Sequence, residues 1–138
     1  MRTRRRIRGL SPPPPQSPLN LQRPSGSSAY CPDIGDIIDV TLDPQEGREQ
    51  RGRRPALVLT PRAYNRRAGL CVLCPITNQQ KGYPFEVAIP LGNPVTGVVL
   101  SDQVKSLSWE RRNAVFRCPS PGGVLREAKG KVRALLQL

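Results

Sequence analysis

The sequence predicts a mainly β protein, a small barrel crossed on one side by a single C-terminal helix. Three observations lead to that class. Apolar residues recur with period two or in short unbroken runs through most of residues 36–118, whereas helical period is confined to the last segment. Strand and helix signals do not alternate, which excludes a doubly wound sheet. The chain has 16 prolines and 12 glycines to punctuate those runs.

The first strand is expected in Gly35-Asp-Ile-Ile-Asp-Val-Thr-Leu-Asp43, where Ile38, Val40 and Leu42 alternate with Asp39, Thr41 and Asp43. A polar loop follows from Pro44 to Arg54, broken by Gly47 and Gly52 and charged with Arg48, Arg51, Arg53 and Arg54. Pro55 then opens Ala56-Leu57-Val58-Leu59, a continuous apolar run suited to a central strand. Pro61 to Gly69, rich in Arg and Asn, reads as a second loop. Leu70-Cys-Val-Leu-Cys-Pro-Ile76 reads as a third, buried strand that stops at Thr77. A polar connection, Asn78 to Gly82, leads to the alternating strand Phe85 to Ile89, and further strands are expected at Gly97–Leu100, Val104–Leu107 and Asn113–Cys118. Val124, Leu125, Ala128, Val132, Leu135 and Leu136 then recur at spacings of three and four, with Ser120 as the expected cap and Pro121 as the first helical residue. Gly122, Gly123 and Gly130 weaken that helix, so packing against the sheet must stabilise it.

Charge divides the chain in two. Residues 1–29 hold six arginines, six of the prolines and no acidic residue, and residues 30–138 hold 16 basic and 10 acidic side chains, so the net charge of +12 splits into +6 and +6. With Pro12 to Pro15 in a row, the first part buries too little apolar surface to offset its ordering entropy, and it is expected to be a disordered Arg/Pro-rich leader. A basic arm that grips phosphates and a dispensable leader both fit this composition. The proline block spoils the amphipathic helix of a transit peptide, and no apolar h-region or membrane-length run is present, so a cytoplasmic protein with no membrane partner is expected. Residues 30–138 form the single domain.

The absence of histidine excludes Ser-His-Asp and Cys-His catalysis, His-ligated zinc and the imidazole pair of many ribonucleases. A zinc site would need all four of Cys31, Cys71, Cys74 and Cys118, and Cys71 and Cys74 sit at i and i+3 of a strand, on opposite faces. No metal and no cofactor are therefore expected, and the cysteines read as small buried hydrophobes. The most suggestive local chemistry is Glu49-Gln-Arg-Gly-Arg-Arg54 before one strand, with Thr77 at the end of another. A carboxylate, a guanidinium and a hydroxyl suffice to cleave RNA without imidazole. The first takes the proton of the ribose 2'-hydroxyl, the second neutralises the phosphorane and the third orients a phosphate oxygen. Trp109, beside Arg111 and Arg112, has two readings, a stacked base or core packing. Lys105, Arg117 and Lys131 read as solvated charge.

Beyond composition, Tyr30-Cys-Pro-Asp-Ile-Gly-Asp36, then Leu42-Asp-Pro-Gln-Glu-Gly-Arg-Glu-Gln-Arg-Gly-Arg-Arg-Pro-Ala-Leu-Val-Leu-Thr-Pro61 with Tyr64-Asn65, closely resembles the opening of the MazF/PemK toxins, the mRNA interferases of bacterial toxin–antitoxin modules. Lys81-Gly-Tyr-Pro-Phe-Glu-Val87 and Ser101-Asp-Gln-Val-Lys-Ser-Leu-Ser-Trp109 resemble that family's other signature segments, in order and at the expected spacing. The resemblance implies an SH3-like barrel of the MazF/PemK/CcdB kind that forms a homodimer with RNA lying across it. It also implies sequence-specific, metal-independent cleavage of single-stranded mRNA, leaving 2',3'-cyclic phosphate and 5'-hydroxyl ends and halting translation and growth. By position, Arg54 and Thr77 match the family's catalytic arginine and threonine, and Glu49 its acidic residue; Arg53, Gln79 and Lys81 are the expected RNA-binding residues. The implied partner is an acidic antitoxin segment in the RNA groove, with DNA reached only through the antitoxin. The competing reading is a non-catalytic toxin, such as a gyrase poison, or a nucleic-acid binder on the same fold, against which the complete Glu49, Arg54, Thr77 set argues.

Overall fold

The computed structural model describes residues 30–42 and 52–138. Expectations for residues 1–29 and 43–51, including the leader and Glu49, lie outside the described residues. Among the described residues, seven strands and two helices appear in this order: β1 (Asp36–Thr41), β2 (Arg53–Val58), α1 (Arg62–Ala68), β3 (Cys71–Thr77), β4 (Glu86–Ala88), β5 (Val98–Leu100), a 3-10 turn (Ser101–Gln103), β6 (Lys105–Leu107), β7 (Val115–Pro119) and α2 (Val124–Leu136).

Every pairing is antiparallel, as short connections between neighbouring strands allow. The strands run β4-β5-β3-β2-β1-β7, with β6 also on β3. The end strands β4 and β7 do not pair with each other, so the expected barrel is not closed and the architecture is an open, curled sheet. Its pivot is β3. Along one edge its residues Leu73 to Pro75 pair with β2. Along the other, Cys71 to Leu73 pair with β6, and Ile76 and Thr77 with β5. Pro75 falls where β3 changes partner, a place where the missing ladder donor does least harm.

Each expected strand is present, although β2 begins at Arg53, inside the segment expected to be loop, and β4 is shorter than expected. Burial in β1 is broader than period two predicts, because Ile37 is buried as fully as Ile38 and Val40, and Thr41 is buried too. The core joins Ile37, Leu57, Ile76, Val87 and Val99 of the sheet to Val124 and Ala128 of α2, with Leu125 and Val132 packed against it. That contact supplies the stability which the glycines of the last segment withhold. The helix starts later than Pro121: Gly123, with φ of 89°, takes the capping position, and the Ser120 side chain makes no cap bond. Instead the Ser120 backbone N–H donates to the Gly35 carbonyl (2.8 Å).

Arg62–Ala68 is a helix, α1, within the segment Pro61 to Gly69 where the sequence suggested a loop. The segment lacks an apolar stripe, but it carries a proline at its entry and Gly69, at φ of 73°, just past its end, which is the pattern of a short capped helix. Asn65 fixes it from within. This fully buried side chain accepts the Thr60 hydroxyl proton (2.7 Å) and donates to the carbonyls of Pro32 and Thr60 (2.9 Å each). The Asn65 carbonyl in turn accepts the Trp109 indole N–H (2.9 Å), so Trp109 is a packing residue. Arg117 and Lys131 are likewise structural. Arg117 bridges Asp39 at 3.0 Å between β7 and β1, and Lys131 donates from α2 to the Glu86 carbonyl (2.9 Å).

Replacing Asn65 with alanine strands two carbonyls in a buried site. Such losses run to about 1–3 kcal/mol per unsatisfied group, and a fall of that size in urea-unfolding stability, with an unchanged denaturant slope, is expected for Asn65→Ala.

Candidate active site

Arg53 and Arg54 are neighbours at the start of β2, and successive strand residues point to opposite faces. Their fates differ accordingly. The Arg53 guanidinium donates to the Thr41 hydroxyl (3.1 Å) and to the carbonyls of Asp39 (3.2 Å), Asn113 (2.9 Å) and Arg112 (3.5 Å). It ties β1 to the turn before β7 and, unlike the other expected RNA-binding residues Gln79 and Lys81, is not among the residues that line the cleft. Strand alternation was the signal that separates the two. Arg54, by contrast, is exposed, opens into the cleft and makes no hydrogen bond or ion pair among the described residues. Glu49 lies outside the described residues.

Thr77 ends β3 in the same cleft. Its hydroxyl oxygen accepts the Gln79 backbone N–H (3.1 Å), which fixes the side chain and leaves its proton available for a ligand. The Thr77 backbone is pressed against Gly97, the residue before β5. Gly97 has φ of 112°, and a Cβ there would collide with the Thr77 carbonyl oxygen and lie 2.8 Å from its carbonyl carbon. Only glycine permits both the conformation and the approach.

Beyond Thr77 the chain loops through Asn78 to Gly82, and Glu86 holds the far end of this loop. The two carboxylate oxygens of Glu86 accept the backbone N–H groups of Lys81 (3.0 Å) and Gly82 (2.9 Å). The arrangement aims Gln79 and Lys81 into the cleft, where the Lys81 ammonium also stands 5.9 Å over the Tyr83 ring. The cleft encloses about 470 Å³ and is lined by Arg54, Thr77, Gln79 and Lys81, together with Tyr83, Asp102, Gln103 and Lys105. Sequence reasoning assigned no site role to the last four. All four lie within the two signature segments Lys81–Val87 and Ser101–Trp109, which was the available signal.

Three cations, Arg54, Lys81 and Lys105, therefore converge on a space of nucleotide dimensions. Guanidinium and ammonium groups with free donors bind phosphate oxygens, and a hydroxyl beside them can donate to a third oxygen. The four cysteines take no part. All are buried thiols, and loss of hydration pushes Cys71 and Cys74 up to about 12, helped at Cys74 by the nearby Asp102 charge. No group of three or more Cys, Asp or Glu suited to a metal ion occurs among the described residues.

Comparison with known proteins agrees with this geometry. The family model described as PemK-like, MazF-like toxin of type II toxin–antitoxin system matches residues 33–136. The chain is 46% identical over 109 residues to the Escherichia coli K12 endoribonuclease toxin MazF, spanning 79% of this chain and 97% of that one. It is 35% identical over 106 residues to the Escherichia coli endoribonuclease PemK, spanning 74% and 80%. Among solved structures, MazF from Deinococcus radiodurans superposes with a TM-score of 0.73 at 49% identity, covering 79% of this chain and 99% of that one. A MazE–MazF structure from the same organism gives 0.71 at 44%, covering 79% and 98%. The chain belongs to the PemK-like, MazF-like toxin family of type II toxin–antitoxin systems.

Proposed function

We propose that this chain is a toxin that acts as an endoribonuclease, cutting single-stranded RNA at short sequence motifs without a metal ion. The observation that carries the reading is the meeting of Arg54 and Thr77, both with free donors, in one cationic cleft. In the proposed reaction the ribose 2'-oxygen attacks the adjacent phosphorus, a P–O2' bond forms, and the P–O5' bond breaks, the departing 5'-oxygen taking a proton from solvent water. The products are a 2',3'-cyclic phosphate and a 5'-hydroxyl, and mRNA so broken no longer supports translation or growth. Arginine keeps its charge through the neutral range and is a poor proton donor, so Arg54 is assigned to the developing charge of the phosphorane. Thr77 donates its hydroxyl proton to a phosphate oxygen. Glu49 is the proposed base for the 2'-hydroxyl. Lys81 and Gln79 hold neighbouring nucleotides, the former through phosphate.

The same cleft explains how such a toxin is restrained. An antitoxin with an acidic, unstructured segment competes with RNA for the same cations. The named MazE–MazF relatives support such a pairing, a homodimer and DNA contact only through the antitoxin are proposed with it, and a cytoplasmic site of action suits both RNA substrate and unpaired thiols. No described helix is long and apolar enough to cross a membrane.

Wild-type protein incubated with a long RNA in EDTA is expected to give discrete 5' ends by primer extension. Arg54→Ala should cut about 10²–10³-fold more slowly, the usual effect of losing one preorganised donor to an oxyanion. Unbroken RNA with both proteins would overturn the reading, and growth arrest that is equal for both would favour the non-catalytic alternative. Gly97→Ala displaces Thr77 and should slow single-turnover cleavage about 10²-fold, as a misplacement near 1 Å does. Gly92→Ala is the control. It has a similar positive φ, 91°, but open space around it, so cleavage should be unchanged.

A further inference from the structure

Among the described residues two carboxylates, Glu86 and Asp102, line the cleft, and they are in different states. Both oxygens of Glu86 are filled by the Lys81 and Gly82 N–H groups. Asp102 is exposed and makes no hydrogen bond or ion pair among the described residues. It is nevertheless rigidly carried. The 3-10 turn Ser101–Gln103 spans the gap between β5 and β6, which are both paired to β3, and buried Ser101 donates its backbone N–H to the Phe85 carbonyl (3.1 Å). A free, fixed carboxylate in a groove for a polyanion repels any phosphate that it faces. Facing a base, it is a pure hydrogen-bond acceptor.

The four RNA bases differ in what they offer such an acceptor. Adenine, cytosine and guanine each carry an exocyclic amino group, whereas uracil presents carbonyl oxygens on both sides of its single imino N–H. A carboxylate gains a charge-assisted bond from the first three and meets a like partial charge on the fourth. We propose that Asp102 is a specificity-determining residue that accepts a hydrogen bond from the exocyclic amino group of one base beside the cut, and so excludes uracil there. Gln103, next to it and also without a partner among the described residues, offers a donor and an acceptor to the rest of that base edge. The proposal rests on the ribonuclease reading and extends it to base choice.

The test uses short oligoribonucleotides carrying the cleavage sequence mapped for the wild type. Amino groups are replaced by oxo groups one position at a time, adenosine by inosine and cytidine by uridine, and the guanosine amino group is removed with inosine. In the wild type one position is expected to lose about ten- to a hundredfold in kcat/KM, the discrimination of one good base contact. In Asp102→Asn the carboxamide can donate to the oxo group. The penalty at that position should fall below about threefold, while the others keep theirs. Equal penalties in both proteins at every position, or a wild type indifferent to all replacements, overturn the proposal. The same series with a 2'-deoxyribose at the attacking nucleotide, read by fluorescence anisotropy, measures the discrimination without turnover and serves if Asp102→Asn cuts poorly. A wild type that cuts no RNA counts against the ribonuclease reading instead, and the two failures stay distinct.

Discussion

The shared strand β3 sets the position of everything in the cleft. Because it gives one edge to β2 and divides the other between β6 and β5, three ladders meet within seven residues. Arg54 arrives on the first ladder, Thr77 is the last residue of β3 itself, and the turn with Asp102 and Gln103 fills the gap between the other two. Backbone hydrogen bonds of a sheet leave little freedom in register, since a one-residue slip would turn every side chain to the wrong face. The placement of Arg54, Thr77, Asp102 and Gln103 is thus built into strand pairing.

Around this frame, hydrogen bonds decide which charges a ligand meets. Arg53, Arg112 and Arg117 are bound to carbonyls or to Asp39, and Lys131 is fastened to Glu86. Glu86 is occupied by backbone N–H groups. Arg54, Lys81 and Lys105 are not restrained in this way by any ion pair among the described residues. A count of basic side chains overstates the surface available to RNA; the relevant quantity is the set of cations whose donors are unoccupied. The buried Asn65 plays the complementary part on the far side, where it fixes α1 with a full set of partners and no charge.

Strand positions were readable in the sequence because the apolar period is strong, and the proposed catalytic pair, Arg54 and Thr77, because both stand at strand ends, the first inside a segment of recognisable pattern. Helix α1 was not, since its stability comes from the contacts of Asn65 with Pro32 and Thr60, which are distant or non-periodic in sequence. Ser120 looked like a cap, but Gly123 holds that position because the chain must turn through a left-handed conformation before α2. Arg53 was expected beside Arg54 as an RNA-binding residue, but alternation along β2 turns it to the other face, onto the carbonyls of Asp39 and Asn113. Closure failed as an expectation for a related reason: strand content is a local property, whereas the absence of a β4–β7 ladder is a property of the whole sheet.

The thiols carry a different consequence. Oxidants and electrophiles attack thiolate, and burial pushes the ionisation of all four cysteines to higher pH, which keeps them as neutral thiols. At neutral pH, a thiol with a pKa of about 12 is ionised in roughly one molecule in 10⁵. With no imidazole to oxidise or alkylate and no metal expected to be lost, the chemistry of this cleft rests on groups that peroxide and disulfide stress leave untouched. A cleft lined by arginine, lysine and threonine, with all four cysteines buried as neutral thiols, offers such oxidants no thiolate to attack.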